Sequence, residues 1–176
     1  MVIDLSHAGH KTAMEVIKYS ERPVAVTHAN PNAWHATPRN LHHDLLQALS
    51  ETGGMVGFSL YPHHLKSGSE CSLEEFADMA SNMIQTYGSK TFGIGSDLCQ
   101  GQPDSVVNWM RNGHWRKKPG PTVKFPKPPT WFKDNSDFPG LAKGLRRSTI
   151  SDADVDRLVG KNWMSFLEKA LVPHER

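Results

Sequence analysis

The stretch MVGFSL at residues 55–60 decides the fold, because it has the composition of a strand that is buried on both faces. It is short and apolar, shows no clean alternation of polar residues, and follows the glycine pair at 53–54. Three similar runs, each β-branched or rich in glycine, occur elsewhere: MVIDL at 1–5, VAVT at 24–27 and TFGIG at 91–95. Together the runs predict four strands of a parallel sheet.

Helical patterns separate these predicted strands. They cover residues 12–19, 40–49, 72–87 and 151–171. Thr12 with Glu15, and Ser72 with Glu75, are typical of capping boxes. The order predicts an α/β fold with right-handed crossovers and four consecutive β/α units. Four such units form either the half of a TIM-like (β/α)8 barrel or a small open sheet.

Composition limits the classes of protein that remain. The 176 residues fit one domain, and the formal charge of +2 is too small to indicate a nucleic-acid partner by itself. Two cysteines are too few for a disulfide framework, which favours a reducing, cytoplasmic location. No stretch approaches the roughly 20 apolar residues of a membrane span. Because the chain begins directly with a predicted buried strand, we expect a further segment N-terminal to it.

Residues 113–136 interrupt the alternation of strands and helices. The segment combines prolines, basic residues and aromatic residues: Pro119, Pro121, Pro126, Pro128, Pro129, Arg116, Lys117, Lys118, Lys124, Lys127, Trp115, Phe125, Trp131 and Phe132. Basic residues interleaved with aromatics can bind single-stranded nucleic acid. We favour a Pro-rich insertion that packs over the mouth of the barrel, and expect no nucleic-acid partner.

Three side chains with metal or proton chemistry follow predicted strands. His7 follows the first strand, His28 the second and Asp97 the fourth. Because parallel strands end at the same rim, we expect these side chains to converge. Two histidines and a carboxylate there suggest a divalent metal, with zinc preferred. The alternative is that each histidine is a hydrogen-bonded structural residue.

Two further residues are candidates for binding a substrate. Arg39 lies in the loop after the second strand, where a guanidinium suits a bidentate grip on a carboxylate. Tyr61 follows the third strand and could donate a hydrogen bond at the same rim. A surface arginine and ordinary packing are the alternatives. His63 and His64 are candidates for the lining of this rim but are interpreted mainly as surface or packing residues, although His63 could reach a substrate. Cys99 is interpreted as a small buried thiol, with a soft metal ligand as the alternative.

Six short motifs resemble the membrane (renal) dipeptidases, peptidase family M19, within the amidohydrolase-type metal barrels. They are IDLSH at 3–7, RPVAVTHA at 22–29, PRN at 38–40, FSLY at 58–61, GIGSD at 93–97 and VGKNW at 159–163. The resemblance covers nearly the whole chain and corresponds to the C-terminal half of the family's barrel. Leu98-Cys99-Gln100 departs from the family's "FDG" at that position.

The resemblance implies a function and a role for each candidate. His7 and His28 would bind the second of two zinc ions, Arg39 the substrate carboxylate and Tyr61 the substrate, while Asp97 would serve catalysis. The ligands of the first zinc would precede Met1, so the chain would hold one partial zinc site. We therefore predict a zinc-dependent, dipeptidase-like hydrolase of small peptides or amides with a free carboxylate. We expect this chain to be inactive alone and to pair with another copy of itself or with a missing N-terminal half. The alternative is a non-catalytic fragment or subunit that keeps only part of the metal site.

Overall fold

Three parallel strands form the centre of the molecule. A computed structural model describes residues 1–113, 117–118, 120–122 and 124–172. The strands are β1 (Ala25–Val26), β2 (Met55–Phe58) and β3 (Phe92–Ile94), adjacent in that order. Val56 lies opposite Val26 on one side and Phe92 on the other. The predicted parallel α/β arrangement is confirmed for these strands.

The first predicted strand, residues 1–5, is reduced to a single parallel bridge between Asp4 and Ala25. The Ala25 N–H donates to Ile3 O at 3.0 Å, and the Leu5 N–H donates to Ala25 O at 2.7 Å. The pairing stops there because the Ser6 N–H donates to Asp4 Oδ1 at 2.9 Å, which turns the chain. Where four strands were predicted, the described ranges thus hold three strands, with a bridge in place of the first. The half barrel stays a prediction.

Helices connect and follow the strands. They are α1 (His10–Tyr19), α2 (His43–Glu51), α3 (Leu73–Tyr87), α4 (Asp104–Asn112), α5 (Phe138–Leu145), α6 (Asp152–Asp156) and α7 (Asn162–Ala170). The capping box predicted at Thr12 is wrong, since α1 begins at His10. At α3 the Glu75 N–H donates to Ser72 Oγ at 3.0 Å, as predicted. In the part of the chain described, no helix is long and apolar enough to cross a bilayer.

The sheet lies between two layers of helices. Alternate residues of β2 and β3, including Phe58 and Phe92, pack with α1, α2 and α3 in the main core. The opposite face carries Met55, which packs against Phe166 of α7. The single helix predicted over residues 151–171 is in fact divided into α6, a π-helical turn (Arg157–Lys161) and α7. Of these, α7 lies against the face of the sheet that carries Met55. This packing holds the carboxyl ends of the strands open on one side.

The proline-rich segment runs along the loops that follow β2. Trp115, Arg116 and Pro119 lie outside the described residues. Further along, Ser69 Oγ donates to Lys127 O at 2.6 Å, and Trp131 Nε1 donates to Cys71 O at 2.7 Å. These bonds hold residues 125–133 close to the loop after β2.

Candidate functional site

The five predicted site residues converge at the carboxyl ends of the strands. His7, Arg39, Tyr61 and Asp97 line one cavity of about 540 Å³. His28 follows β1 and contacts His7 at its edge. Parallel strands place their carboxyl ends together, which is why residues up to 90 positions apart meet here.

The two histidines present their ring nitrogens to each other. His7 Nε2 lies 3.1 Å from His28 Nε2, with the ring planes tilted by 57°. Two nitrogens bound to one tetrahedral zinc at ~2.0–2.1 Å lie about 3.3 Å apart. The pair therefore fits two ligands of one zinc ion. In the ranges the structure describes, no group of three or more His, Cys, Asp or Glu side chains could complete a metal site.

A hydrogen-bond chain sets the tautomer of His28. Thr27 Oγ1 donates its one proton to Asp4 Oδ2 at 2.7 Å. His28 Nδ1 lies 3.0 Å from the same oxygen and must therefore be the donor of that contact. Its Nε2 is then left with a free lone pair that faces His7. Outer partners of this kind orient the histidines of metal sites, and sequence reasoning missed Asp4 and Thr27 in this role.

Asp4 remains ionised in this arrangement. Burial raises the pKa of its carboxyl group, but hydrogen bonds from Ser6 and Thr27 outweigh that effect and lower the pKa below its usual value. The negative carboxylate thus favours a proton on the His28 nitrogen that points toward it, rather than on the nitrogen that points into the site.

Two of the candidates have a strained backbone. His7 has φ 65° and Asp97 has φ 50°, and they are the only residues other than glycine with positive φ among those described. Such a conformation costs roughly 1–3 kcal/mol and concentrates at functional sites. Its occurrence at two strand ends that face one cavity supports a functional role for both residues.

Close approach of the strands beside His28 depends on two glycines. A Cβ atom at Gly57 or at Gly95 would overlap the carbonyl oxygen of Thr27. Only glycine at both positions therefore allows the ends of β2 and β3 to approach Thr27, the residue before His28, so closely.

Arg39 is a cation that forms no ion pair with a carboxylate among the described residues. Its Nη2 donates to His28 O at 3.0 Å, while its buried Nε has no hydrogen-bond partner among the described residues. Burial lowers the pKa of the guanidinium, and the charges of Asp97 and Asp4 partly oppose this shift. Asn40 Nδ2 donates to His35 O at 2.9 Å and so fixes the loop. A partly buried guanidinium at the wall of a cavity suits an anionic ligand.

His64, which was interpreted mainly as a packing or surface residue, is buried in the wall of the same cavity. Ser59 Oγ accepts the Tyr61 N–H at 3.2 Å and lies 2.7 Å from His64 Nδ1. Ser59 is fully buried, and its hydroxyl has no other acceptor among the described residues, so its proton goes to Nδ1 and the proton of the ring stays on Nε2. Burial first, then the charges of Arg39 and the nearby histidines, lower the pKa of His64 to about 3. His64 is therefore a neutral donor, positioned by a short 3₁₀ helix that no local pattern predicts.

The remaining titratable groups respond to the same surroundings. Burial lowers the pKa of His7, with contributions from Arg39 and His28 in the same direction and from Asp97 against it. Burial raises the pKa of Tyr61, and Cys99 and Asp97 raise it further. The thiol of Cys99 is exposed, so the expectation of a buried thiol is wrong.

The fold and the paired imidazoles define a class of protein, namely parallel α/β chains with a candidate metal site at the carboxyl ends of the strands. The sequence model of one family, described as membrane dipeptidase (Peptidase family M19), matches residues 1–111. The chain belongs to this family.

Individual relatives agree with that assignment. Dipeptidase aclJ of Aspergillus oryzae is 34% identical over 95% of this chain and 34% of its own length. An amidohydrolase from Pseudomonas aeruginosa superposes with a TM-score of 0.87 at 27% identity, covering 97% of this chain and 52% of that one. A metallo peptidase from Rhodobacter sphaeroides, liganded with a phosphinate mimic of the dipeptide L-Ala-D-Ala, shares the fold with a TM-score of 0.74 at 24% identity, over 95% of this chain and 42% of that one. The chain thus spans about a third to a half of these relatives.

Proposed function

We propose that this chain forms half of the metal centre and the carboxylate-binding site of a zinc-dependent, dipeptidase-like hydrolase. Its substrates are small peptides or amides with a free carboxylate. The observation that carries the proposal is the 3.1 Å separation of the His7 and His28 Nε2 atoms beside a cavity that also holds Arg39 and Asp97. Membership of the membrane dipeptidase family supports it.

His7 and His28 would hold the metal. When bound, zinc polarises a carbonyl group and lowers the pKa of water. The Asp4–Thr27 pair keeps the proton of His28 on Nδ1 and away from the site. Asp97 carries the carboxylate that takes up a proton and delivers it to the nitrogen of the leaving amine, or else anchors the ammonium group of the substrate.

Arg39 would bind the substrate's terminal carboxylate. A charge-assisted hydrogen bond between the guanidinium and this carboxylate contributes roughly 1.5–3 kcal/mol. Tyr61 keeps its phenolic proton at neutral pH because its pKa is raised, and so can donate to a substrate oxygen. A requirement for the carboxylate next to the scissile bond restricts substrates to dipeptides and similar small amides.

Calorimetric titration with zinc tests the metal centre. The wild-type chain should bind zinc, and His7→Ala or His28→Ala should weaken binding by at least about tenfold, since each removes one of two ligands. His42→Ala, which changes an exposed histidine at the start of α2, is the matched control and should bind like the wild type. Equal zinc binding by all four proteins would contradict the metal site.

The substrate site is tested in the same zinc-loaded protein with Ala-Gly and its C-terminal amide. The free carboxylate should bind about 10- to 100-fold more tightly than the amide, which corresponds to roughly 1.5–3 kcal/mol. Arg39→Met should remove this preference, whereas Lys66→Met, at an exposed position, should keep it. Turnover is measured alongside. Binding of zinc and dipeptide without turnover, even when the remaining part of the family fold is supplied, would favour a non-catalytic subunit.

A further inference from the structure

A second, smaller cavity adjoins the candidate site. It has a volume of about 60 Å³ and lies between the strand ends and the proline-rich segment. Its walls share Tyr61, Asp97, Cys99 and Phe125 with the larger cavity. The two cavities therefore meet at a common boundary that contains a carboxylate.

The walls of the small cavity are mainly apolar and well supported. Leu60, Leu98, Phe125 and Phe132 contribute side chains to it. Leu60 and Phe132 are buried, and the Phe132 ring packs edge-on against Phe138 with centroids 5.2 Å apart. Phe125 and Phe132 lie beyond residues 1–111, the part that matches the family model. This lining is thus supplied by the chain's own proline-rich segment.

The order of charged groups gives a substrate an orientation. In the proposed function Arg39 holds the carboxylate of a dipeptide in the larger cavity. Asp97, at the boundary between the cavities, is then available to the ammonium group at the other end. The side chain of the amino-terminal residue is attached to the same carbon atom as this ammonium group. It is therefore the part of the substrate that lies nearest to the small cavity.

Resting on that function, we propose that the small cavity is the subsite for the side chain of the substrate's amino-terminal residue, and that it takes a small aliphatic group. A volume of about 60 Å³ is well below the roughly 150 Å³ of a cavity that holds benzene. Methyl to isopropyl groups fit, and a phenyl ring does not. Burial of an apolar side chain against apolar walls strengthens binding with each carbon added until the cavity is full.

Two series of dipeptides, titrated calorimetrically into the zinc-loaded chain, test the subsite. In the first series the amino-terminal residue changes from Gly to Ala, Val and Phe, with Gly second. Affinity should rise about fourfold for each carbon buried up to Val and fall for Phe. In the second series Gly is first and the second residue changes. That series should be nearly flat.

A variant that enlarges the cavity gives the sharper test. Leu98→Ala should move the preferred residue from Val to Phe. Leu171→Ala, which removes the same side chain from an exposed position on the other side of the sheet, should keep the wild-type order.

Reactivity of Cys99 provides a measurement that does not depend on the variants. Its exposed thiol lines both cavities, whereas Cys71 is buried and its pKa is raised to about 12. Modification by a thiol reagent should therefore report Cys99, and Val-Gly should slow it more than Gly-Val at equal occupancy.

The outcomes separate the subsite from the proposed function. Three results would overturn the subsite while leaving dipeptide binding intact. They are equal affinities throughout the first series, an affinity that depends on the second residue instead, and an unchanged order of preferred residues in Leu98→Ala. Absence of binding by every dipeptide, Gly-Gly included, would overturn the proposed function and the subsite with it.

Discussion

At the scale of single residues, two histidines of the candidate site have their protons placed by neighbours. His28 donates through Nδ1 to Thr27 Oγ1, which itself donates to Asp4. His64 accepts from Ser59 and keeps its proton on Nε2. One ring therefore offers a lone pair to a cation, and the other offers a donor to an oxygen atom. The difference arises from the hydroxyl beside each Nδ1 atom, because Thr27 has already given its proton to Asp4 whereas Ser59 gives its proton to the ring.

The stability of the fold should depend on pH through His64. Its pKa falls from the ordinary 6.5 to about 3 in the folded chain, so between these values the unfolded chain binds a proton that the folded chain does not. Stability is therefore complete above about pH 6.5 and is lost as the pH falls toward 3. His64→Gln should reduce the slope of unfolding free energy against pH, by up to about 1.4 kcal/mol per pH unit.

Urea unfolding between about pH 6 and about pH 4 measures this slope. His63→Gln changes the exposed neighbour and should retain the wild-type slope. If His64→Gln lowers stability equally at every pH, the protonation of His64 does not contribute to the pH dependence.

At the scale of elements, the contact between α7 and β3 determines how the sheet is covered. Asn162 Nδ2 donates to Ser89 O at 2.6 Å and to Phe92 O at 2.7 Å, and Trp163 Nε1 donates to Ile94 O at 2.9 Å. The carbonyl groups of Phe92 and Ile94 face away from β2. Side chains of α7 therefore provide the hydrogen bonds that a further strand would otherwise make to them.

Loss of the Asn162 amide should destabilise the fold strongly. Asn162→Ala leaves two carbonyl oxygens without their donor in a buried position, and we expect a decrease of about 2–3 kcal/mol in the free energy of unfolding. Asn82→Ala, at an exposed position of α3, should change it by less than about 0.5 kcal/mol. Urea unfolding at neutral pH compares the two. A loss for Asn162→Ala no larger than the control's would contradict this account of α7.

At the scale of the whole molecule, the outer edge beside β1 is poorly covered. Met1 and Ile3 are exposed, and they belong to the segment that pairs with Ala25 on one side only. An apolar edge of this kind tends to pair with another chain.

We therefore expect the chain to associate with a second copy, or with a separate N-terminal half of the family fold. In sedimentation experiments on the chain alone, dimers should increase with concentration. Ile3→Lys should shift the equilibrium toward monomers, since a charge disfavours pairing at an edge. Met164→Lys, on an exposed face of α7, should have a smaller effect. A strictly monomeric wild type at high concentration would contradict the expectation.

From the sequence alone, one can derive the parallel alternation and the rim where His7, His28 and Asp97 meet. Local burial patterns predict strands, and parallel strands end at one edge. Only the tertiary structure decided that residues 1–5 make one bridge, that α7 is distinct from α6, that His64 is a neutral donor, and that Phe125 and Phe132 line a second cavity. These features depend on residues distant in the chain: Thr27 for Asp4, Phe92 for Asn162, burial and the charge of Arg39 for His64, and Leu60 for Phe132. Contacts between distant residues leave no periodic pattern in the sequence, and so the chain must fold before they can be recognised.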